Sequence, residues 1–156
     1  MKSDIKGLKI DQVSFQIGMI NCFMEMVACG VKRLAISPPL QPEDYEAIEN
    51  ASDILVKEFK VKSYLEKSLM ITALQSEEFT KGKWSILYYK DDIVLKSYLS
   101  LKKKKAELVR EGKYDRNAQK QISREFMRLL SYPETVIEEK LAQKYPSSPY
   151  MLGSDK

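Results

Sequence analysis

Five segments of this chain carry apolar residues at helical spacing, and the longest is residues 12–33. At about 100° per residue, Phe15, Met19, Cys22 and Met26 fall on one line. Ile20, Phe23, Met24, Val27 and Val31 widen that apolar arc past half the circumference. What remains is a narrow polar strip of Ser14, Gly18, Asn21, Glu25 and Lys32. A helix apolar over most of its surface is buried on several sides, so this stretch is predicted to be the central helix.

Ser37-Pro38-Pro39-Leu40-Gln41-Pro42 reads as a stiff connector, because each proline fixes its own φ and restricts the residue before it. Pro42 suits the start of a second helix, with Glu43 and Asp44 in its first turn and Tyr45, Ile48, Leu55, Val56 and Phe59 on one face. Residues 61–67 read as strand or as continued helix. The short apolar runs 68–74 (SLMITAL) and 84–89 (WSILYY), separated by a segment with Gly82, predict a β-hairpin with a long loop. Asp92 is placed to cap a third helix over 93–111, stopped by Gly112. Its apolar face carries Val94, Leu95, Tyr98, Leu99, Leu101, Leu108 and Val109. Asp115 opens a fourth helix with Ala118, Ile122, Phe126, Leu129 and Leu130 on one side. Tyr132-Pro133 breaks the pattern, and Pro133-Glu134 begins a fifth, shorter helix with Val136, Ile137 and Leu141.

The predicted fold is therefore α+β and mainly helical: about five helices around a central buried helix, with one small antiparallel β-hairpin. An all-α chain is the alternative. Residues 1–145 are expected to form a single globular domain, after an extended lead-in over 1–10, and residues 146–156, rich in Pro, a flexible C-terminal tail.

Composition narrows the chemistry more than it names it. The 156 residues include no histidine, which excludes Ser-His-Asp and Cys-His catalysis and His-containing zinc or haem sites. The only two cysteines are seven residues apart on one predicted helix, about 10 Å, too far to pair with each other. They are expected to be buried, reduced and structural, a reading that outweighs a Cu(I) stripe of Met19, Cys22, Met26 and Cys29. Gly82 and Gly112 stand alone, and Lys81-Gly82-Lys83 lacks the glycines of a phosphate loop, so no cofactor and no metal are expected. No apolar run is long enough to cross a bilayer. The opening MKSDIKGLKI has no signal-peptide core, so a cytoplasmic location is the default expectation. The net charge of +4 permits an acidic partner without demanding one.

Two constellations stand out. Glu25 and Asn21 lie one helical turn apart beside Gly18. If that strip faces inward, Glu25 needs a cation, and Lys102 or Lys105, which fall within the apolar arc of the third helix, would supply it. These four residues, Glu25, Asn21, Lys102 and Lys105, form the candidate ligand site, suited to a small anionic or polar molecule. The run Lys102 to Lys105 is also the most conspicuous charge cluster, and reads either as an electrostatic footprint for nucleic acid or as stems lying along apolar surface with their ammonium groups in water. The tyrosines Tyr88, Tyr89, Tyr98 and Tyr132 suit a pocket lining or half-buried core positions.

Leu130-Ser131-Tyr132-Pro133-Glu134-Thr135-Val136 resembles a Leu-Gly-Tyr-Pro-x-Cys-Cys signature of uncharacterised archaeal proteins, placed between two helices. Leu130, Tyr132 and Pro133 match. Ser131 replaces the Gly, and Thr135 and Val136 replace the cysteine pair, which removes any thiol or metal chemistry. The resemblance implies no activity. The residues themselves favour a non-catalytic interaction or small-ligand-binding domain, with a homodimer through a helix face as one form. The alternatives are a small enzyme acting on an anionic metabolite, or a nucleic-acid-associated protein using Lys102 to Lys105.

Overall fold

The computed structural model describes residues 9–143. The lead-in up to residue 8 and the tail after 143 lie outside them. The described chain is mainly helical α+β: α1 (Gln12–Ala28), β1 (Leu34–Ile36), a single 3-10 turn (Pro42–Asp44), α2 (Tyr45–Phe59), β2 (Lys62–Glu66), the one-turn α3 (Glu77–Thr80), β3 (Ser85–Tyr89), α4 (Asp92–Arg110), α5 (Arg116–Leu129) and α6 (Glu134–Ala142). The strands form one antiparallel sheet in the order β1-β3-β2. Leu34 pairs with Tyr89 on one side of β3, and Tyr64 with Leu87 on the other.

Every residue of β3 is buried, because helices cover both faces of the sheet. Ile86 and Tyr88 point into a core made with Ile20, Met24 and Val27 of α1 and Ile48 of α2. Leu87 and Tyr89 join the opposite core, built from Val94, Tyr98 and Leu101 of α4, Ile122, Phe126 and Met127 of α5, and Ile137 and Leu141 of α6. A strand covered on both sides reads as a continuous apolar run rather than an alternating one, which is the pattern of SILYY. Tyr88 is fully buried, and its hydroxyl is matched by Ser52 Oγ of α2 at 2.8 Å.

Four helices stop the same way. After α1, α2, α4 and α5 a residue enters the left-handed region: Gly30, Lys60, Gly112 and Ser131. In each case the next amide reaches back to the helix's last turn: Val31 to Met26, Val61 to Val56, Lys113 to Leu108 and Tyr132 to Met127. These paired bonds satisfy carbonyls that the helix end leaves open. At the N-termini, Asp11 accepts from the Ser14 amide at 3.0 Å and Asp115 from the Ala118 amide at 2.8 Å. The tight junction at Tyr132-Pro133 is present as read from sequence, with Pro133 one place earlier than expected, as the cap residue before α6.

Three expectations are corrected. The central helix ends at Ala28, since Gly30 turns the chain into β1. The run 68–74 is not a strand: β3 takes β2 as its partner instead. Residues 68–74 form an irregular segment packed into the core through Leu69, Met70 and Leu74. Its backbone is satisfied by other means, with the Ala73 amide donating to Ser123 Oγ and the Ile71 carbonyl accepting from Lys105 Nζ at 2.7 Å. Finally, Cys22 and Cys29 are free and exposed, not buried. The apolar arc of α1 is wider than its neighbours can cover. Its inner side holds Ile20, Met24 and Val27, and the Phe15-Met19-Cys22-Met26 line falls outside, with Met26 40% exposed.

Candidate functional site

Glu25 and Asn21 are both exposed on α1. The inward-facing strip therefore does not form, and the structure brings neither residue to Lys102 or Lys105. The physical reason is again the rotation of α1: its inner side faces the sheet and α2, leaving Asn21 and Glu25 in solvent, where a carboxylate needs no partner.

Lys102 and Lys105 do turn inward, each to a different acceptor. Lys102 Nζ lies 2.9 and 2.8 Å from the two carboxylate oxygens of Glu66, at the end of β2. Tyr98 Oη donates to the same carboxylate at 2.8 Å, and the Ser68 amide does so at 2.8 Å. The Glu66 side chain is 4% exposed and that of Lys102 33%. Lys105 donates to the Ile71 carbonyl and sits 5.3 Å from the centre of the Tyr114 ring. Burial holds its ammonium below the ordinary lysine pKa. Lys104 reaches Glu125 at 3.2 Å, and Lys103 approaches Glu107 at 4.0 Å. The lysine run is thus engaged within the molecule. Sequence does not mark Glu66, because residues 61–67 read equally as strand or helix.

A different set of residues forms a pocket. Met19 and Phe23 of α1, Lys32, Ile36 of β1, Leu74 and Gln75 of the irregular segment, and Leu130 and Tyr132 at the α5–α6 junction line an open pocket of about 300 Å³. Local structure explains why they meet. The Gly30 turn delivers Lys32 and Arg33 to the end of α5, where Lys32 Nζ donates to the Leu130 carbonyl at 2.8 Å and the Arg33 amide to Ser131 Oγ at 2.9 Å.

Lys32 is the charged group of this pocket. Burial alone lowers its pKa from the ordinary lysine value, with no carboxylate contributing. One of its three ammonium hydrogens is engaged by Leu130, which leaves donors to spare. Its ammonium lies 5.4 Å from the centre of the Tyr132 ring, and that of Lys140 lies 5.6 Å from the same ring. Burial also raises the Tyr132 pKa, which keeps the phenol neutral. Gln75 is 3% exposed, and its side-chain oxygen Oε1 has no hydrogen-bond partner. The unpartnered Gln75 oxygen would be satisfied by an incoming donor, and the half-desolvated Lys32 ammonium by an incoming acceptor.

The sequence reading contained parts of this. Tyr132 was among the tyrosines suited to a pocket, and Lys32 stood in the polar strip of the long helix. The usable signal was Lys32 between a helix-stopping Gly30 and the wholly apolar LAI of β1. Gln75, beyond the run misread as a strand, carried none. Among the described residues no helix is long and apolar enough to cross a membrane, and no group of three or more His, Cys, Asp or Glu is placed to hold a metal ion. No protein-family model, curated protein or solved structure matches this chain.

Proposed function

We propose that this chain is a small-ligand-binding domain whose pocket between α1, β1 and the α5–α6 junction takes a small anion with an apolar body, a carboxylate being the chemistry that fits. The observation that carries this reading is the Lys32 ammonium, half-buried in the pocket with no carboxylate beside it among the described residues. A charge in such a place is stabilised by an incoming anion far more than one on the surface. The inward engagement of Lys102 with Glu66 and of Lys105 with the Ile71 carbonyl favours this over the nucleic-acid alternative.

Calorimetric titration with hexanoate tests it, with hexanol as the neutral control. Hexanoate binds at one site, and at ten times its Kd it raises the unfolding free energy by about 1.4 kcal/mol. Hexanol at equal concentration does not, and Lys32→Met removes the hexanoate response while the variant still unfolds cooperatively. Equal binding of acid and alcohol, or undiminished binding by Lys32→Met, would overturn the proposal.

A further inference from the structure

Lys32 and Gln75 line the same pocket and call for opposite partners. The Lys32 ammonium is a donor with hydrogens to spare beyond its bond to the Leu130 carbonyl. The Gln75 side-chain oxygen is an acceptor that receives no hydrogen bond, on a residue 3% exposed. A ligand that satisfies both brings an acceptor for one and a donor for the other. We propose that the ligand is a hydroxy acid, with its carboxylate at Lys32 and the hydroxyl of its apolar body donating to Gln75 Oε1. This rests on the reading of the Lys32 pocket as an anion site.

Three observations support the hydroxyl. The first is that the chain around Gln75 has no donor left for its side chain. The Thr72 amide goes to the Gln75 backbone carbonyl at 3.4 Å, the Ala73 amide to Ser123 Oγ, and the Leu74 amide to Thr72 Oγ1. A buried oxygen in that position has lost its water without recovering a bond. The terminal torsion of a glutamine is broad, so Oε1, with no bond to break, can turn to an incoming donor. The second is charge. The lining residues include Lys32 and no carboxylate, and the Lys140 ammonium lies 5.6 Å from the centre of the Tyr132 ring. An ammonium on the ligand would meet cations and no anion, whereas a hydroxyl brings its hydrogen without a charge. The third is the rest of the wall. Met19, Phe23, Ile36, Leu74 and Leu130 present apolar side chains to the ligand's body, and about 300 Å³ is at the small end for a ligand pocket, which suits a short acid.

The test is calorimetric titration with hexanoate and with 2-, 3- and 6-hydroxyhexanoate. Each hydroxy acid is run beside its methyl ether, which keeps the oxygen and loses the donor, and beside the matching amino acid. The protein is the native chain and Gln75→Met, which keeps the length and unbranched shape of the side chain without its amide. In the native chain at least one hydroxy acid binds about fivefold or more tighter than hexanoate, the gain of one net hydrogen bond. Its methyl ether shows no such gain, and the amino acid binds more weakly than the hydroxy acid. In Gln75→Met the ratio of hydroxy acid to hexanoate affinity falls to about one. That variant unfolds in urea at a midpoint no lower than the native chain's, since it no longer buries an unpartnered oxygen. The comparison of alcohol with ether needs the native chain alone, and so decides the matter even if the variant folds poorly.

Hydroxy acids no tighter than hexanoate, or ethers as tight as their alcohols, would overturn the hydroxyl while leaving the Lys32 anion site standing. A preference for the hydroxy acid that survives in Gln75→Met would also overturn it, because another group would then be the acceptor. An amino acid tighter than its hydroxy counterpart would overturn the class in favour of a zwitterion. No response to any of the acids would remove both this proposal and the anion site.

Discussion

Replacing Lys102 by methionine is expected to destabilise the protein more than replacing its partner Glu66 by glutamine, although both changes break the same ion pair. The asymmetry follows from burial: the Glu66 side chain is 4% exposed and the Lys102 side chain 33%. Lys102→Met leaves an ionised carboxylate inside the protein with the Tyr98 hydroxyl and the Ser68 amide as its remaining donors. Losing the two charge-assisted contacts at 2.9 and 2.8 Å from a group that cannot turn to water costs about 3 kcal/mol, the low end for breaking a buried pair. Glu66→Gln removes the buried charge itself, and the Lys102 ammonium swings its exposed third into solvent. The amide still accepts from one of the two remaining donors, so the cost is about 1–2 kcal/mol. Tyr98→Phe removes a single donor and falls in the same range. The assay is urea unfolding at pH 7. With a slope near ~2 kcal/mol per molar, Lys102→Met lowers the midpoint by about 1.5 M and Glu66→Gln by about half that. Equal midpoints, or a larger loss for Glu66→Gln, would refute the reasoning, because they would mean that the ammonium rather than the carboxylate is the trapped charge.

Other outcomes follow from the same structure. Lys60 ends α2 at φ 53, a conformation that penalises a side chain, so Lys60→Gly is expected to raise stability by about 0.5–1 kcal/mol in urea unfolding. Ser131→Gly stays near neutral, since the relief of its own left-handed backbone is offset by loss of the Arg33 amide bond to Ser131 Oγ. Both thiols, being exposed, react with a polar disulfide reagent within minutes in the native protein, and Cys22→Ala changes stability by less than about 0.5 kcal/mol. Between the lowered folded pKa of Lys32 and its ordinary value of 10.5, the unfolded chain binds more protons than the folded one, so this group makes stability rise with pH in that window. The tyrosines whose pKa burial raises act with the opposite sign as pH climbs. The difference between native and Lys32→Met unfolding free energies, measured from pH 8 to 11, isolates the lysine and is expected to grow in favour of the native chain.

The helices were legible because their signals are local. Asp115 caps where a short acceptor precedes an apolar run, and Gly112 stops a helix by adopting the left-handed turn that glycine tolerates, whereas the long helix read to residue 33 already turns at Gly30, and Asp92, read as a cap, is the first residue of α4 after Asp91. Lys60 and Ser131 make the same turn without glycine, and so gave no warning. The WSILYY run was recognisable as a buried strand, but its partners were not, because a strand covered on both faces shows no alternation to set a register. The partner chosen from sequence, SLMITAL, is apolar for a different reason: it fills the core as irregular backbone held by Ser123 and Lys105. For the site, sequence identified a helix too apolar for one interface but not which side would be left over. That side was decided by contacts with β3 and α2, far along the chain. Lys102 and Lys105 fall within the apolar arc of the third helix, but their acceptors, Glu66 and the Ile71 carbonyl, depend on long-range packing that the arc does not show.

The central claim, an anion site at Lys32 bordered by Met19, is read most directly from the methionine methyl resonances of the chain during a hexanoate titration, with Met19 assigned through Met19→Leu. Met19 lines the pocket, whereas Met24 and Met127 are buried in the two separate cores. The account predicts a saturable shift of the Met19 methyl that follows hexanoate and not hexanol, with Met24 and Met127 stationary, and its disappearance in Lys32→Met. A stationary Met19 methyl at concentrations that saturate the calorimetric signal, or the same shift in Lys32→Met, would contradict it.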